Sequence, residues 1–585
     1  MTKTAPASRL WLQALSAVSV VGQDPAQTFG AVLNNLADLY GERVALIDDD
    51  CSLSYQELAL RANRYGRWAH AQGFRRGAVI ALIMRNCAEY VAIWAGLSQA
   101  GITVALINTN LGGPAMAHAI RVPACAAAIV EAGLFEEFET SNADIPFWIH
   151  GETKQAVVPR IDIEAVAYSG HRPAQLDTAD VPALLIYTSG TTGLPKAANV
   201  SHARVLQWCH WFAGMMEIEP KDRLYNCLPM YHSTGGVCAI GAVLVRGGSV
   251  VIRRRFSRSR FWRDIVITES TIFQYIGELC RYLLQAEPEE FETRHRLRLC
   301  SGNGLRKNVW TEFENRFQIP RILEFYAATE GSVSLYNCDG KPGSIGRVPN
   351  FLAHRFPLAL VRCDTDSGEY LRGDSGYYQH CGPGEIGEAL GRLDPKNVVA
   401  GQRFEGYVDP AASNAKVLRN VFSENDLWYR TGDLLQRDED GFYYFVDRLG
   451  DAFRWKGENI SATEVASVIA GCSGVVDAVV LGVRLPNYEG RAGMTAIAVE
   501  ARFDIAKFWN EIHERLPSYA RPVFVRRCNV IDRTPTFKLS SSRLKADGYL
   551  QVPVEDLWFD DWKSKTYINF TAELRVMLER GNLKV

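Results

Sequence analysis

Short apolar runs alternate with helical periodicity from about residue 40 to residue 340 of this 585-residue chain. The runs "AVIALIM" (78–84), "ITVALIN" (102–108), "AAAIV" (126–130) and "ALLIYT" (183–188) are almost unbroken by polar positions. Strands that read this way are covered on both faces, as in parallel sheets flanked by helices. From about 355 to 447 the texture changes to short alternating segments separated by turn residues. There "LWYRTGDLLQ", "RDEDG" and "FYYFVDR" predict two strands joined by a Gly-containing turn. Beyond Gly450 a smaller unit is predicted: a helix from Thr463, strands "AVVLGV" and "TAIAVE", and a helix from Lys507. The pattern predicts an α/β protein with two domains. Residues 1–447 form a large N-terminal domain of α/β subdomains with parallel sheets plus a β-rich subdomain. Residues 448–585 form a small C-terminal α+β domain.

No segment reaches the roughly 20 predominantly apolar residues needed to span a bilayer. "YVAIWAGLSQAGITVALI", starting at Tyr90, is broken by Ser98, Gln99 and Gly101. It predicts a buried helix, a glycine break and a buried strand. Near the N-terminus, "RLWLQALSAVSVVG" reads either as an amphipathic surface helix or as a helix packed on its own domain, the second being favoured. Apolar residues make up 47% and charged residues 22%, ordinary for a soluble globular protein. A formal charge of -2 gives no global reason to expect nucleic acid as a partner. Thirteen cysteines occur without a C-x-x-C pair or a Cys/His cluster at ligand spacing. They read as reduced, buried small hydrophobes in a cytoplasmic protein without structural zinc.

One polar stretch interrupts this pattern. In "YTSGTTGLPKAANV" (187–200) every position from Thr188 to Gly193 is a hydroxyl or a glycine, and Lys196 comes three residues later. Glycines let backbone N–H groups approach an anion, hydroxyls add donors and lysine supplies charge, so a phosphate is expected here. The familiar loop G-x-x-x-x-G-K-[ST] does not fit, because its second glycine would fall on Pro195. "GPGEIG" (382–387) satisfies G-x-G-x-x-G literally. No parallel-type strand precedes it, and Gly391 and Pro395 interrupt the residues after it, so it predicts a β-turn and not a dinucleotide site.

Five further stretches join "YTSGTTGLPK" (187–196): "SGNGLR" (301–306), "EFYAATEGS" (324–332), "YRTGDL" (429–434), "DRLGDAFRWKGENIS" (447–461) and "RTPTFKLS" (533–540). In order and spacing the six resemble the adenylate-forming superfamily of acyl-CoA synthetases, luciferases and peptide-synthetase adenylation domains. "ALINTNLGG" (105–113), "FRWKGENIS", "GVRLPNYEGRAGM" (482–494), "PTFKLS" and the long tail narrow the resemblance. They are similar to the fatty acid transport protein branch, the very-long-chain acyl-CoA synthetases. The match runs from about residue 30 onward.

The resemblance implies a two-step reaction. A carboxylate attacks the α-phosphate of ATP, and the thiol of coenzyme A then displaces AMP. The first step brings two anions together, so placed cations and donors should dominate catalysis. The same resemblance implies that Thr188, Ser189, Thr191, Thr192 and Lys196 hold the β- and γ-phosphates, with Gly190 and Gly193 allowing close approach. Glu330, with Thr188, would position Mg²⁺. Tyr326 offers an aromatic face to adenine beside Asn303, Gly304, Ala327 and Thr329. Most relatives carry glycine where Ala327 stands. Asp433 matches the ribose clamp, with Arg448 nearby. Lys538, on a mobile small domain, would reach the oxygens between carboxylate and α-phosphate; Phe537 replaces the usual glycine before it. His232 would sit beside the reacting carboxyl, positioning it or gating the thiol channel ahead of any direct proton transfer. Gly457 would line that channel once the small domain turns about Asp451, the hinge.

These readings imply an AMP-forming ligase that converts long-chain or very-long-chain fatty acids to acyl-CoA. Alternatives are a fatty acid uptake protein, a ligase for a bulky apolar acid such as a sterol side chain or bile acid, and an enzyme that loads a carrier protein. "GGVCAIGAVLV" (235–245), with Gly235 and Ala239, reads either as an open acyl channel or as close helix packing. "RRRFSRSRFWRD" (253–264) holds six arginines. A solvated face is favoured there over CoA phosphates or peripheral contact with an anionic membrane.

Overall fold

The structure is a computed structural model. It describes residues 6–24, 27–153, 158–174, 181–189, 194–364, 368–393, 404–533, 541–583 and 585. The chain divides into two compact units. The first comprises Met1–Pro357, Gly391–Leu418 and Leu427–Tyr429; the second comprises Leu358–Leu390, Arg419–Asp426 and Arg430–Val585.

The first unit is built on two sheets. One has six strands in the order Phe147–His150, Ala127–Glu131, Val79–Ile83, Thr103–Leu106, Pro182–Ser189 and Pro195–Ser201. Its first five strands are parallel and the last is antiparallel. All four apolar runs predicted as strands lie here, and Thr103–Leu106 is buried along its whole length. The other sheet has eight strands, in the order Ser334–Asn337, Ile322–Ala327, Leu299–Asn303, Ile272–Ile276, Arg223–Asn226, Ser249–Ile252, Val44–Ile47 and Ser52–Ser54. Helices cover the strands, and local signals set their ends. Ser54 and Glu57 form a reciprocal capping box that starts the helix Tyr55–Ala71.

The helix Ala7–Val18 buries Leu10, Trp11, Ala14, Ala17 and Val18. Trp11 meets Trp211 edge-on at 5.6 Å, so this helix packs on its own unit and is not an isolated surface element. The helix Ala88–Gln99 is buried, Gly101 turns the chain at φ +76°, and the strand Thr103–Leu106 comes next. No described helix is long and apolar enough to cross a membrane.

In the second unit the predicted hairpin is present: Leu427–Arg437 pairs antiparallel with Tyr443–Arg448. "GPGEIG" forms a turn in which the Glu385 amide donates to the Gly382 carbonyl at 3.2 Å, and it leads into a strand, Ile386–Arg392. The C-terminal sheet has the order Val475–Val483, Ala492–Val499, Phe524–Arg527, Leu557–Asp561 and Thr566–Asn569. Its last two strands come from the tail, where no strand is expected from the sequence. Leu557 and Phe559 on one strand and Tyr567 on the other face the core, which gives the tail a buried face.

Candidate functional site

The polar stretch after residue 187 lies on the hairpin that edges the six-stranded sheet. Antiparallel register sets Thr188 opposite Lys196 and Ser189 opposite Pro195. Thr188 thus ends a strand parallel to Thr103–Leu106, and crevices beyond the carboxyl ends of parallel strands are where α/β folds bind ligands. Gly190, Thr191, Thr192, Gly193 and Lys538 lie outside the described residues.

Glu330 lies just beyond the strand Ile322–Ala327 and is buried. Its Oε1 accepts a hydrogen bond from the Tyr407 hydroxyl and another, at 3.3 Å, from the Tyr429 hydroxyl. Thr188, opposite Lys196 in register, neighbours the same tyrosine. The Lys196 ammonium stands 5.8 Å from the centre of the Tyr407 ring, within cation–π range. Thr188, Lys196 and Glu330, far apart in sequence, therefore meet around one tyrosine.

A buried arginine braces the loop that carries Glu330. Arg204 donates to the carbonyls of Thr329 at 2.9 Å and Gly331 at 3.3 Å, one on each side of Glu330. Its guanidinium lies 3.6 Å from Glu405, with Arg204 2% and Glu405 11% exposed. Glu405 also accepts from the Ser201 amide at 2.7 Å and the Ser201 hydroxyl at 2.6 Å, where the helix His202–Met215 begins. Tyr407, Tyr429, Arg204 and Glu405 are not singled out by the sequence. Their only signal is polarity beside a motif.

These groups fit a hard cation. Among the described residues, Glu330 Oε2 has no hydrogen-bond partner, and carboxylate and hydroxyl oxygens suit Mg²⁺. No cluster of three or more His, Cys, Asp or Glu among the described residues could hold a metal alone. An ion here would draw on the nucleotide's own phosphates, as Mg²⁺ commonly does.

Asn303 ends the strand Leu299–Asn303, parallel to the strand that ends in Tyr326 and Ala327. Gly304 turns the chain at φ +80°. Beneath it Glu324, wholly buried, accepts from the amides of Gly304 and, at 3.1 Å, Leu305, and from the Tyr275 hydroxyl at 2.5 Å. Burial outweighs these donors and pushes the Glu324 carboxyl up to about 8.

His232 packs its ring 4.7 Å from that of Tyr231. The neighbouring Ser233 hydroxyl is 3.3 Å from the Thr329 hydroxyl, so this stretch adjoins the Glu330 loop. Residues Thr234–Cys238 form a turn of π-helix, a distortion frequent at functional sites. Gly235 sits in a tight backbone contact. A Cβ there would lie 2.6 Å from the Pro229 carbonyl, and Ala239 is fully buried. A side chain at Gly235 would strike backbone, so this glycine allows a close contact.

In the second unit Asp433 pairs with Arg448 across the hairpin, at 3.8 Å. Asp451 forms an ion pair with Lys545. Gly457 occupies an open hairpin turn at φ +85° between Phe453–Trp455 and Glu458–Ile460. Of the six arginines between 253 and 264 in the first unit, Arg253 pairs with Asp264 and Asp49, and Arg254 with Asp50 and Glu131. Arg255, Arg258, Arg260 and Arg263 are exposed.

Residues 33–385 match the family model described as AMP-binding enzyme. The chain belongs to that family. It is therefore an ATP-dependent, adenylate-forming ligase, and its relatives place it in the fatty acid transport protein branch. It is 37% identical to long-chain fatty acid transport protein 1 of Mus musculus, over 95% of this chain and 88% of that one. It is 34% identical to the medium/long-chain-fatty-acid–CoA ligase FadD6 of Mycobacterium tuberculosis, over 93% and 90% of the two chains. Its fold resembles that of the anthranilate CoA ligase AuaEII, solved in complex with anthranoyl-AMP. The TM-score is 0.76 at 21% identity, covering 90% of this chain and 98% of that one. The family's nucleotide chemistry agrees with the groups gathered around Tyr407.

Proposed function

We infer that this AMP-binding enzyme activates long-chain or very-long-chain fatty acids to acyl-CoA, using ATP, Mg²⁺ and coenzyme A. The convergence of Thr188, Lys196 and Glu330 carries the reading. One carboxylate oxygen of the acid bonds to the α-phosphorus and pyrophosphate leaves. The thiol sulfur then bonds to the acyl carbon, the C–O bond breaks, and AMP departs with that oxygen.

Lys196 and the stretch from Thr188 to Gly193 hold the β- and γ-phosphates, where fixed charge is worth most. Glu330 and Thr188 would hold Mg²⁺, which neutralises phosphate charge when bound. Tyr326, Ala327, Thr329, Asn303 and Gly304 line the adenine, Asp433 with Arg448 holds the ribose, and Lys538 stabilises charge between carboxylate and α-phosphate. His232 positions the acid or gates the thiol, Gly457 lines the thiol path, and a small C-terminal domain beginning at residue 448 turns about Asp451.

An apolar acid is favoured over an amino acid because no Asp or Glu occurs between Asp222 and Asp264 to pair a substrate ammonium. Burying one unpaired costs several kcal/mol. The relatives' names, transport protein and CoA ligase, both concern fatty acids. The first name gives a second reading, fatty acid uptake, in which the exposed arginines 255, 258, 260 and 263 meet an anionic membrane surface peripherally. A screen of pyrophosphate release over acids of graded chain length, with and without coenzyme A, tests the proposal. Release should rise with chain length without CoA, and acyl-CoA should appear when CoA is added. Equal release with amino acids, or none with any fatty acid, would overturn it.

A further inference from the structure

We propose that Tyr407 is a positioning residue of the nucleotide site, its hydroxyl holding one oxygen of the Glu330 carboxylate so that the other is presented to a divalent cation. The inference rests on the reading of Glu330 as a protein ligand of the metal.

Tyr407 is pinned from all sides. Its amide donates to the Ser413 hydroxyl at 2.8 Å, and its residue bridges to Ala198. The Asn199 amide donates to Gly406 at 3.0 Å, and the Val408 amide donates to Ala197 at 2.9 Å. The segment 406–408 is thereby sewn to the strand that carries Lys196, and the Tyr407 ring is 6% exposed.

Proton direction gives this arrangement its consequence. A tyrosine hydroxyl has one proton and spare lone pairs. Its proton goes to Glu330 Oε1, because an ionised carboxylate only accepts. Glu330 Oε2 has no partner among the described residues. The hydroxyl thus fixes one carboxylate oxygen and leaves the other as an oxygen donor. The Lys196 ammonium over the ring keeps the phosphate-binding cation against the same side chain.

Tyr407→Phe removes the hydroxyl and keeps the ring, so backbone pairing and the lysine contact should survive. Two quantities are read: the Mg²⁺ concentration giving half-maximal pyrophosphate release, and Mn²⁺ affinity by electron paramagnetic resonance with a non-hydrolysable ATP analogue. Both should weaken by about tenfold, the worth of one hydrogen bond to a charged group. Binding of the analogue without metal should not change. If the variant also lowers the unfolding midpoint, the ratio of metal-dependent to metal-free nucleotide affinity still isolates the hydroxyl. Glu330→Gln provides the contrast. If it leaves Mn²⁺ affinity intact, the reading of Glu330 as a ligand is wrong. If it weakens Mn²⁺ while Tyr407→Phe matches wild type, Glu330 stands and the role of Tyr407 is overturned. Equal loss of nucleotide binding with and without metal would make Tyr407 a packing residue only.

Discussion

Replacing Arg204 by Met is predicted to be among the most costly single changes in the first unit. Methionine fills similar volume but supplies no donors, so the carbonyls of Thr329 and Gly331 lose bonds of 2.9 Å and 3.3 Å. Each is a charge-assisted bond, worth about 1.5–3 kcal/mol. The change also strips Glu405 of a cation 3.6 Å away, where both side chains are nearly dry. At an effective dielectric constant near 20 that attraction is about 5 kcal/mol before desolvation. Desolvation of both ions offsets most of it in the intact pair, but removing one ion leaves the other's penalty uncompensated, about 3–5 kcal/mol. These contributions overlap, and the expected loss is about 4 kcal/mol. Urea unfolding followed by near-ultraviolet circular dichroism measures it. Glu405→Gln in the same background should recover about 1–3 kcal/mol, because the stranded charge is gone. Arg204→Met should also loosen the Glu330 loop and raise the KM for MgATP. A loss under about 1 kcal/mol, or strict additivity in the double variant, would refute the brace.

Glu324→Gln tests the buried carboxyl beneath the Gly304 turn. Folding raises its pKa from the ordinary 4.5 to about 8, so the wild-type fold is favoured below pH 4.5 and loses that advantage as pH rises towards 8. The variant's unfolding midpoint should gain on wild type between those values and level off above them; parallel pH profiles would show that the charge has no such effect. Asp433→Ala should raise the KM for ATP by about 10- to 100-fold, the worth of charge-assisted bonds to ribose hydroxyls, as steady-state kinetics will read. Lys538→Ala should slow acyl-adenylate formation by about 10²–10³ while sparing thioester formation from pre-made acyl-AMP; equal losses in both steps would make the lysine structural.

The sequence made the parallel strands legible because burial on both faces leaves unbroken apolar runs, as at 183–188. The hydroxyl- and glycine-rich stretch from Thr188 was equally visible, because its signal is local composition. The braces around Glu330 were not legible. Tyr407 lies 77 residues from the carboxylate it bonds, and Arg204 lies 125 from Thr329. Neither sits in a periodic or Gly-rich context, so tertiary closure alone gives them meaning. At Gly235 a small residue in an apolar run fits an open channel or a tight contact, and the nearness of the Pro229 carbonyl supports a contact at that one glycine. The tail strands were missed because Leu557–Asp561 and Thr566–Asn569 are short and end in polar residues.

The central claim is that an acid oxygen passes through an acyl-adenylate. Incubating the purified protein with ATP, Mg²⁺, coenzyme A and a long-chain fatty acid carrying ¹⁸O in both carboxyl positions tests it directly. Mass spectrometry of the nucleotide product should find one ¹⁸O in AMP for each acyl-CoA formed, and none in pyrophosphate. Unlabelled AMP, or ADP with ¹⁸O in inorganic phosphate, would contradict it.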